Sequence, residues 1–249
     1  MGMVQPIILA AGKGTRMRSE LPKCLHEVTG VPIARRIINS FAKAGSLPPI
    51  VIVGHKADEV KAALGEQRYV EVATVEGTAD AVRQGLVVVE GNPAVVVVNG
   101  DHPFLHPDTI VNLEKAQAAP HKPLVMGIVE VESFDGWLNT FERYGRLVRN
   151  RDGSFARIVE FKNATEEEKL IREVNPNVFC GDAAWLKDAV QRVKRNEVTG
   201  EYHITDLVEL AIADGKPIET VRLSVEEGYG INTPEDLAQA QLLAKQVGF

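Results

Sequence analysis

The feature that most limits what this chain can fold into is an alternation in its first hundred residues. Short apolar runs at Val4–Leu9, Ile50–Val53, Tyr69–Val75 and Ala94–Val98 read as strands. Between them, Val31–Gly45, Ala57–Leu64 and the segment from Gly77 to Gln84 carry apolar residues at helical spacing. Strands that alternate with helices predict a parallel sheet covered on both faces, because each connection has to cross over the sheet. In such sheets ligands bind beyond the carboxyl ends of the strands, which directs attention to the loops at 9–23, 54–56, 76–79 and 99–103.

The second half reads differently. Strands are expected at Pro123–Glu132, Arg146–Arg149, Phe155–Phe161, Glu173–Cys180 and Pro217–Ser224, with a hairpin turn at Asp152-Gly153. Lys162–Ile171 reads as a charged loop or helical turn, and Asp182–Arg195 and Thr205–Ala213 as helices. A last helix is expected at Pro234–Val247, with Thr233 as N-cap before proline at the first helical position. With 249 residues, no internal repeat and no proline-, glycine- or serine-rich linker, the expectation is one domain of two lobes. These are residues 1–120 and 121–232, followed by a terminal helical segment, 233–249.

Within the first loop, Gly12 and Gly14 allow a sharp turn with uncovered N–H groups. Lys13, Arg16, Arg18 and Lys23 face the single acid Glu20, so the stretch is positive in a chain whose net charge is −6. Two readings are open on these residues: a cradle for a polyphosphate, or an ordinary basic strand-to-helix turn. Neither G-x-x-x-x-G-K-[ST] nor a complete G-x-G-x-x-G is present. Asp101 closes the strongest strand, where a carboxylate beside a phosphate loop suits Mg²⁺ or else caps the following turn. Gly228-Tyr-Gly-Ile-Asn232 is a second source of oxygen ligands, and Asn232 equally reads as a turn or cap residue. The six histidines are scattered, which argues against zinc. Cys24 and Cys180 read as reduced, packed thiols. No Ser/His/Asp triad or activated cysteine is recognisable. The acidic balance and the lack of a long basic run argue against nucleic acid as partner. No stretch reaches the roughly 18–20 apolar residues of a membrane helix, and there is no cleavable signal pattern, so a cytoplasmic location is expected.

The opening Leu9-Ala-Ala-Gly-Lys-Gly-Thr-Arg-Met…Leu21-Pro-Lys23 resembles the signature of the sugar-1-phosphate nucleotidyltransferases. Further agreement runs through Gly77-Thr78, Gly100-Asp101, Tyr144-Gly-Arg146, Ile158–Lys162, Glu173-Val-Asn175, Gly200–Asp206 and Gly230-Ile-Asn232. These later motifs are similar to one subfamily, the N-terminal uridylyltransferase domain of the bifunctional N-acetylglucosamine-1-phosphate uridylyltransferase/glucosamine-1-phosphate acetyltransferase. The resemblance implies an α/β, Rossmann-like fold with a mixed, mostly parallel central sheet and a smaller sugar-binding lobe. It implies that Leu9, Ala10, Ala11, Gly12, Gly14, Thr15, Val72, Gly77, Thr78, Asn99, Gly100 and Asp101 bind the nucleoside triphosphate. Arg16 and Lys23 would then be catalytic, neutralising its phosphates, and Asp101 and Asn232 would bind Mg²⁺. Gly145, Glu160, Asn175, Tyr202, Thr205 and Asn232 would hold the sugar 1-phosphate.

The reaction implied makes a nucleoside-diphosphate sugar, a cell-wall precursor such as UDP-N-acetylglucosamine. The rivals are the same reaction with another base or hexose, for example adenylyl or thymidylyl transfer, or a non-catalytic nucleotide-sugar sensor. Four departures bear on the choice. Val72 stands where the uridylyltransferases carry a uracil-reading glutamine, and Asn99 where they carry tyrosine. Asn175-Pro176 replaces an asparagine-threonine pair, and the segment Gly77–Gln84 looks more like that of glucose-1-phosphate adenylyltransferases. No left-handed hexapeptide repeat is present, so acetyl transfer is not expected.

Overall fold

A computed structural model describes residues 4–118 and 123–248. Residue 120, where the sequence divides the lobes, and His121 lie outside the described residues. The chain opens with β1 (Gln5–Ala10), passes the basic loop and a short hairpin of β2 (Glu27–Val28) and β3 (Val31–Pro32), and enters α1 (Ile33–Lys43). Then follow β4 (Ile50–Val53), α2 (Ala57–Leu64), β5 (Arg68–Glu71), α3 (Thr78–Leu86) and β6 (Ala94–Asn99). β5, β4, β1 and β6 lie side by side and parallel, with Ile7 opposite both Ile50 and Val97.

The two-residue period of these strands sends their side chains into two separate cores. Ile8, Val51, Val53, Val96 and Val98 pack on one face with α1 and α2; Ile7, Ile50, Ile52, Val95 and Val97 pack on the other with α3. Burial on both faces is why these strands read as continuous apolar runs rather than alternating ones.

The rest of the chain comprises α4 (Pro107–Gln117), β7 (Leu124–Glu130), β8 (Gly145–Arg149), β9 (Phe155–Val159) and α5 (Glu166–Lys169). After these come β10 (Glu173–Asn175), β11 (Phe179–Asp182), α6 (Ala183–Arg192), α7 (Asp206–Ala213), β12 (Ile218–Arg222) and α8 (Pro234–Val247). One ten-stranded sheet runs β5-β4-β1-β6-β11-β7-β10-β8-β9, with β12 parallel on β7. β11 is antiparallel to both β6 and β7, so the sheet is mixed and joins the two halves of the sequence. No helix among the described residues is long and apolar enough to cross a membrane.

Three differences from the sequence reading matter for the site. Glu173–Cys180, read as one strand, is two: Pro176 has no N–H to pair and Asn177 adopts φ 60, so the ribbon breaks there. Before the break the chain pairs with β8, and after it with β6, while β7 stays alongside throughout. The strand expected at Tyr69–Val75 ends at Glu71, and the residues after it form a loop. α4 was absent from the sequence reading, although it starts with a recognisable signal: His106 Nδ1 accepts from the Asp108 N–H, and Pro107 opens the helix.

Candidate active site

β1, β4, β5 and β6 are parallel, so their carboxyl ends meet at one edge, and a cleft of about 840 Å³ opens there. Its walls come from both halves of the chain. Leu9, Ala10, Ala11, Gly12, Arg16, Lys23, Val72, Gly77, Thr78, Asn99, Gly100 and Asp101 line it from the first half; Gly145, Glu160, Asn175 and Asn232 line it from the second. Gly14, Thr15, Tyr202 and Thr205 are not in the wall.

Three of these have a definite backbone role. Gly14 adopts φ +60 ahead of the one-turn helix Thr15–Met17, and a Cβ there would sit 2.8 Å from Lys23 Cβ. The glycine therefore lets the loop fold back tightly on Lys23. Tyr202 holds the following segment through its backbone: its carbonyl accepts from Ala79 and its N–H donates to Glu76. Thr205 begins the turn into α7, its carbonyl accepting from Val208.

At the floor, two ends of the chain meet on one ammonium. Lys23 Nζ donates to Asp101 Oδ2 at 2.5 Å and to Asn232 Oδ1 at 3.0 Å, and Arg16 Nη2 donates to the same Asn232 oxygen at 2.8 Å. The backbone enforces the meeting, since the Ile231 N–H donates to the Asp101 carbonyl at 3.0 Å. Asp236, which sequence reasoning missed, lines the cleft and accepts from the N–H groups of Asn232 and Thr233 through Oδ2. Its signal was the capping box, Thr233 followed three residues later by an acid.

Asp101 is 6% exposed. Burial alone would raise its carboxyl pKa, but the Lys23 ammonium and then the His102 ring outweigh burial and hold it well below the usual carboxylate range. Its Oδ1 lies 2.9 Å from His102 Nδ1 with no aligned hydrogen bond. The floor thus presents two hard oxygen donors already gathered on one positive charge, plus a buried carboxylate oxygen without an aligned partner. That donor set fits Mg²⁺, which takes one or two protein oxygens and completes its shell with phosphates and water.

The wall beyond Val53 holds Val72, Ala73, Thr74 and Val75. Val72 is 3% exposed and its N–H donates to the Val53 carbonyl at 2.9 Å, so the strand direction continues by one residue and turns an apolar side chain inward. Gly77 then adopts φ +112, where a Cβ would lie 2.4 Å from the Tyr202 carbonyl oxygen. Thr78 Oγ1 accepts from the Ile204 N–H at 2.9 Å, fastening the Asn196–His203 loop under the start of α3. On the opposite wall, Asn175 and Asn177 lock each other: the Asn175 amide donates to Asn177 Oδ1, and Asn175 Oδ1 accepts from the Asn177 N–H, both at 2.9 Å. Both thiols are buried, and burial pushes Cys24 up to about 11 and Cys180 higher still, which makes them packing groups at neutral pH.

The chain is similar to known proteins in sequence and in fold. The family model for the MobA-like NTP transferase domain matches residues 6–141. The bifunctional protein GlmU of Exiguobacterium sibiricum is 37% identical over 238 residues, covering 94% of this chain and 51% of that protein. GlmU of Ruegeria pomeroyi is 38% identical over 242 residues, covering 95% and 52%, and that of Geobacter metallireducens 35% over 251 residues, covering 99% and 51%. The chain spans about half the length of the curated relatives it matches. Among solved structures, the inositol-1-phosphate CTP transferase from T. maritima superposes with a TM-score of 0.73 at 18% identity, covering 98% of this chain and 96% of that one, a likeness of fold.

Proposed function

The chain belongs to the MobA-like NTP transferase domain family, and from that premise we propose that it makes a nucleoside-diphosphate sugar from UTP and N-acetylglucosamine 1-phosphate, releasing pyrophosphate. The observation that carries this reading is the convergence of Arg16, Lys23, Asp101 and Asn232 at the floor of a cleft walled by both halves of the sequence. A cleft with cations on the loop after β1 on one side, and a carboxylate and amides on the other, suits two polyanionic substrates that repel each other in water.

The chemistry is an in-line displacement. An oxygen of the sugar phosphate forms a bond to the α-phosphorus of the triphosphate, and the bond from that phosphorus to the bridging oxygen breaks, its electron pair leaving with pyrophosphate. A phosphate monoester has a second pKa of about 6, so the nucleophile is already an anion at neutral pH and needs no general base. Catalysis consists of alignment and charge neutralisation: Arg16 and Lys23 take the phosphate oxygens, and the main chain from Leu9 to Gly12 shapes the wall beside them. Asp101 and Asn232 would hold Mg²⁺, which when bound supplies further neutralisation of phosphate charge.

Val72 supports a second reading at the level of the base, because a buried valine offers no hydrogen bond to a pyrimidine edge. Transfer from another nucleoside triphosphate, adenylyl or thymidylyl, is the rival on that ground. Pyrophosphate release measured for the four common ribonucleoside triphosphates and dTTP against several hexose 1-phosphates decides between them. The expected outcome is fastest release with UTP and N-acetylglucosamine 1-phosphate. A different preferred base would reassign the substrate, and binding without release in every pair would make the protein a sensor.

A further inference from the structure

Two cations of the cleft wall, Lys13 and Arg143, have no role in the scheme above. Lys13, Arg16 and Lys23 all belong to the loop after β1, but Arg143 stands on the opposite wall, at the end of the turn Gly136–Arg143. It is exposed and makes no hydrogen bond or ion pair to any described residue. Two residues on, Gly145 starts β8, and Glu160 Oε1 lies 3.9 Å from the Cβ position of Gly145, so a cation and a carboxylate flank one short stretch of backbone.

That backbone is held in an unusual way. Arg146 is fully buried, and it donates to the carbonyls of Phe141 at 3.3 Å, Glu142 at 3.0 Å and Tyr144 at 2.5 Å, and through Nε to that of Lys169 at 3.3 Å. Its guanidinium also lies over the rings of Phe134 and Phe161, at 4.5 and 5.2 Å from their centroids. Three carbonyls around Arg143 are therefore turned inward onto a buried cation, which removes their negative ends from the cleft. Tyr144 adds a further tie, donating to the Gly228 carbonyl and accepting from the Gly230 N–H, two residues before Asn232. A turn whose carbonyls are engaged by Arg146, with the exposed Arg143 side chain at the cleft wall, suits an anion.

We propose that Arg143 anchors the phosphate of the acceptor sugar 1-phosphate, on the wall where the family resemblance already implies that Gly145 and Glu160 hold the sugar. The inference rests on the nucleotidyltransferase reading and adds an acceptor contact to it. Arg143 would hold the attacking phosphate on the second wall while Arg16 and Lys23 hold the triphosphate on the first, which keeps the two anions apart until they are in line. Arg146 acts through the backbone and is a positioning residue.

The test is steady-state kinetics of Arg143→Gln and Arg143→Lys with each substrate varied in turn. Loss of a charge-assisted contact to phosphate is expected to raise KM for the sugar 1-phosphate about ten- to thirty-fold in Arg143→Gln, with KM for the triphosphate within about twofold of wild type. Arg143→Lys is expected to recover part of the loss. An unchanged acceptor KM, or a rise in triphosphate KM of the same size, overturns the proposal. Should the wild-type chain release no pyrophosphate with any substrate pair, the function fails separately, and calorimetric titration of N-acetylglucosamine 1-phosphate still tests Arg143. Weaker binding by Arg143→Gln, with free N-acetylglucosamine binding unaffected, upholds the anchor, and equal binding of the phosphate by both proteins overturns it.

Discussion

Lys23 and Asp101 show how much one contact determines at this site. A carboxylate 6% exposed is held ionised chiefly by an ammonium 2.5 Å away, with the His102 ring adding to it. Lys23→Ala would leave that charge buried and unpaired, and we expect it to destabilise the fold by about 2–3 kcal/mol in urea titration, less than a fully buried pair because the Lys23 side chain is 23% exposed. Adding Asp101→Asn should recover part of the loss, since the neutral amide no longer needs a counter-charge; no recovery in the double variant would show that the pair is not coupled. The thiols give a second check at this scale. Cys24 and Cys180 should resist alkylation by iodoacetamide in the native protein at pH 8 and react fully once unfolded.

Among the elements, the turns that flank the cleft can be tested singly. Gly77 has a backbone conformation that L-residues rarely adopt and faces the Tyr202 carbonyl with no room for a Cβ. Gly77→Ala should cost about 1–3 kcal/mol by denaturant unfolding and slow turnover, because α3 and the Asn196–His203 loop must separate. α8 offers a contrasting case. Its capping box joins Thr233 and Asp236, and Asp236 also accepts from the Asn232 N–H. Thr233→Ala should cost about 1 kcal/mol as an ordinary cap, with turnover little changed. Asp236→Ala should cost a similar amount and also reduce turnover, since it frees the backbone that presents Asn232; equal effects of the two variants on turnover would remove Asp236 from the site.

Over the whole molecule, one sheet binds both halves. β11 lies between β6 and β7, so residues 1–118 alone would leave the edge of β6, with buried Val95–Val98, open to water or to another chain. We expect that fragment to aggregate rather than to fold, as read by size-exclusion chromatography; a soluble, folded monomer would establish the first half as an independent lobe. Stability should also fall in acid. Asp214 is held down to about 2 by hydrogen bonds from Arg192 and then Trp185, and Asp101 is held low as well. A carboxyl with a depressed folded-state pKa contributes in full above its unfolded pKa of about 3.9 and loses that contribution as pH falls through the folded value. Asp206, raised by burial, acts in the opposite sense just above that range. His26, whose ring burial keeps neutral, adds a gentle loss as pH falls below about 6.5. Denaturant midpoints should therefore decline slightly between pH 7 and about 5 and drop steeply below about 4, with a shallower acid limb in Asp214→Asn.

Local sequence determined the strands of the first half, the helix at Pro234–Val247 and the basic character of the loop after β1, because apolar runs, caps and glycines act over a few residues. The interrupted ribbon at Pro176-Asn177 was legible in its proline but not in its consequence, since which strand each part pairs with depends on partners far away in the chain. Gly14, Tyr202 and Thr205 belong to motifs, and the structure shows what their backbone does there: Gly14 packs on Lys23, and Tyr202 and Thr205 hydrogen-bond within the second half and to α3. Conversely Arg143 carries no motif and Asp236 only that of a helix cap, and packing places both in the cleft. The meeting of Lys23 with Asp101 and Asn232, separated by 78 and 209 residues, was decided by tertiary structure alone. A short sequence motif can specify which groups a loop offers, whereas the charges that those groups face depend on how distant strands and turns close over them.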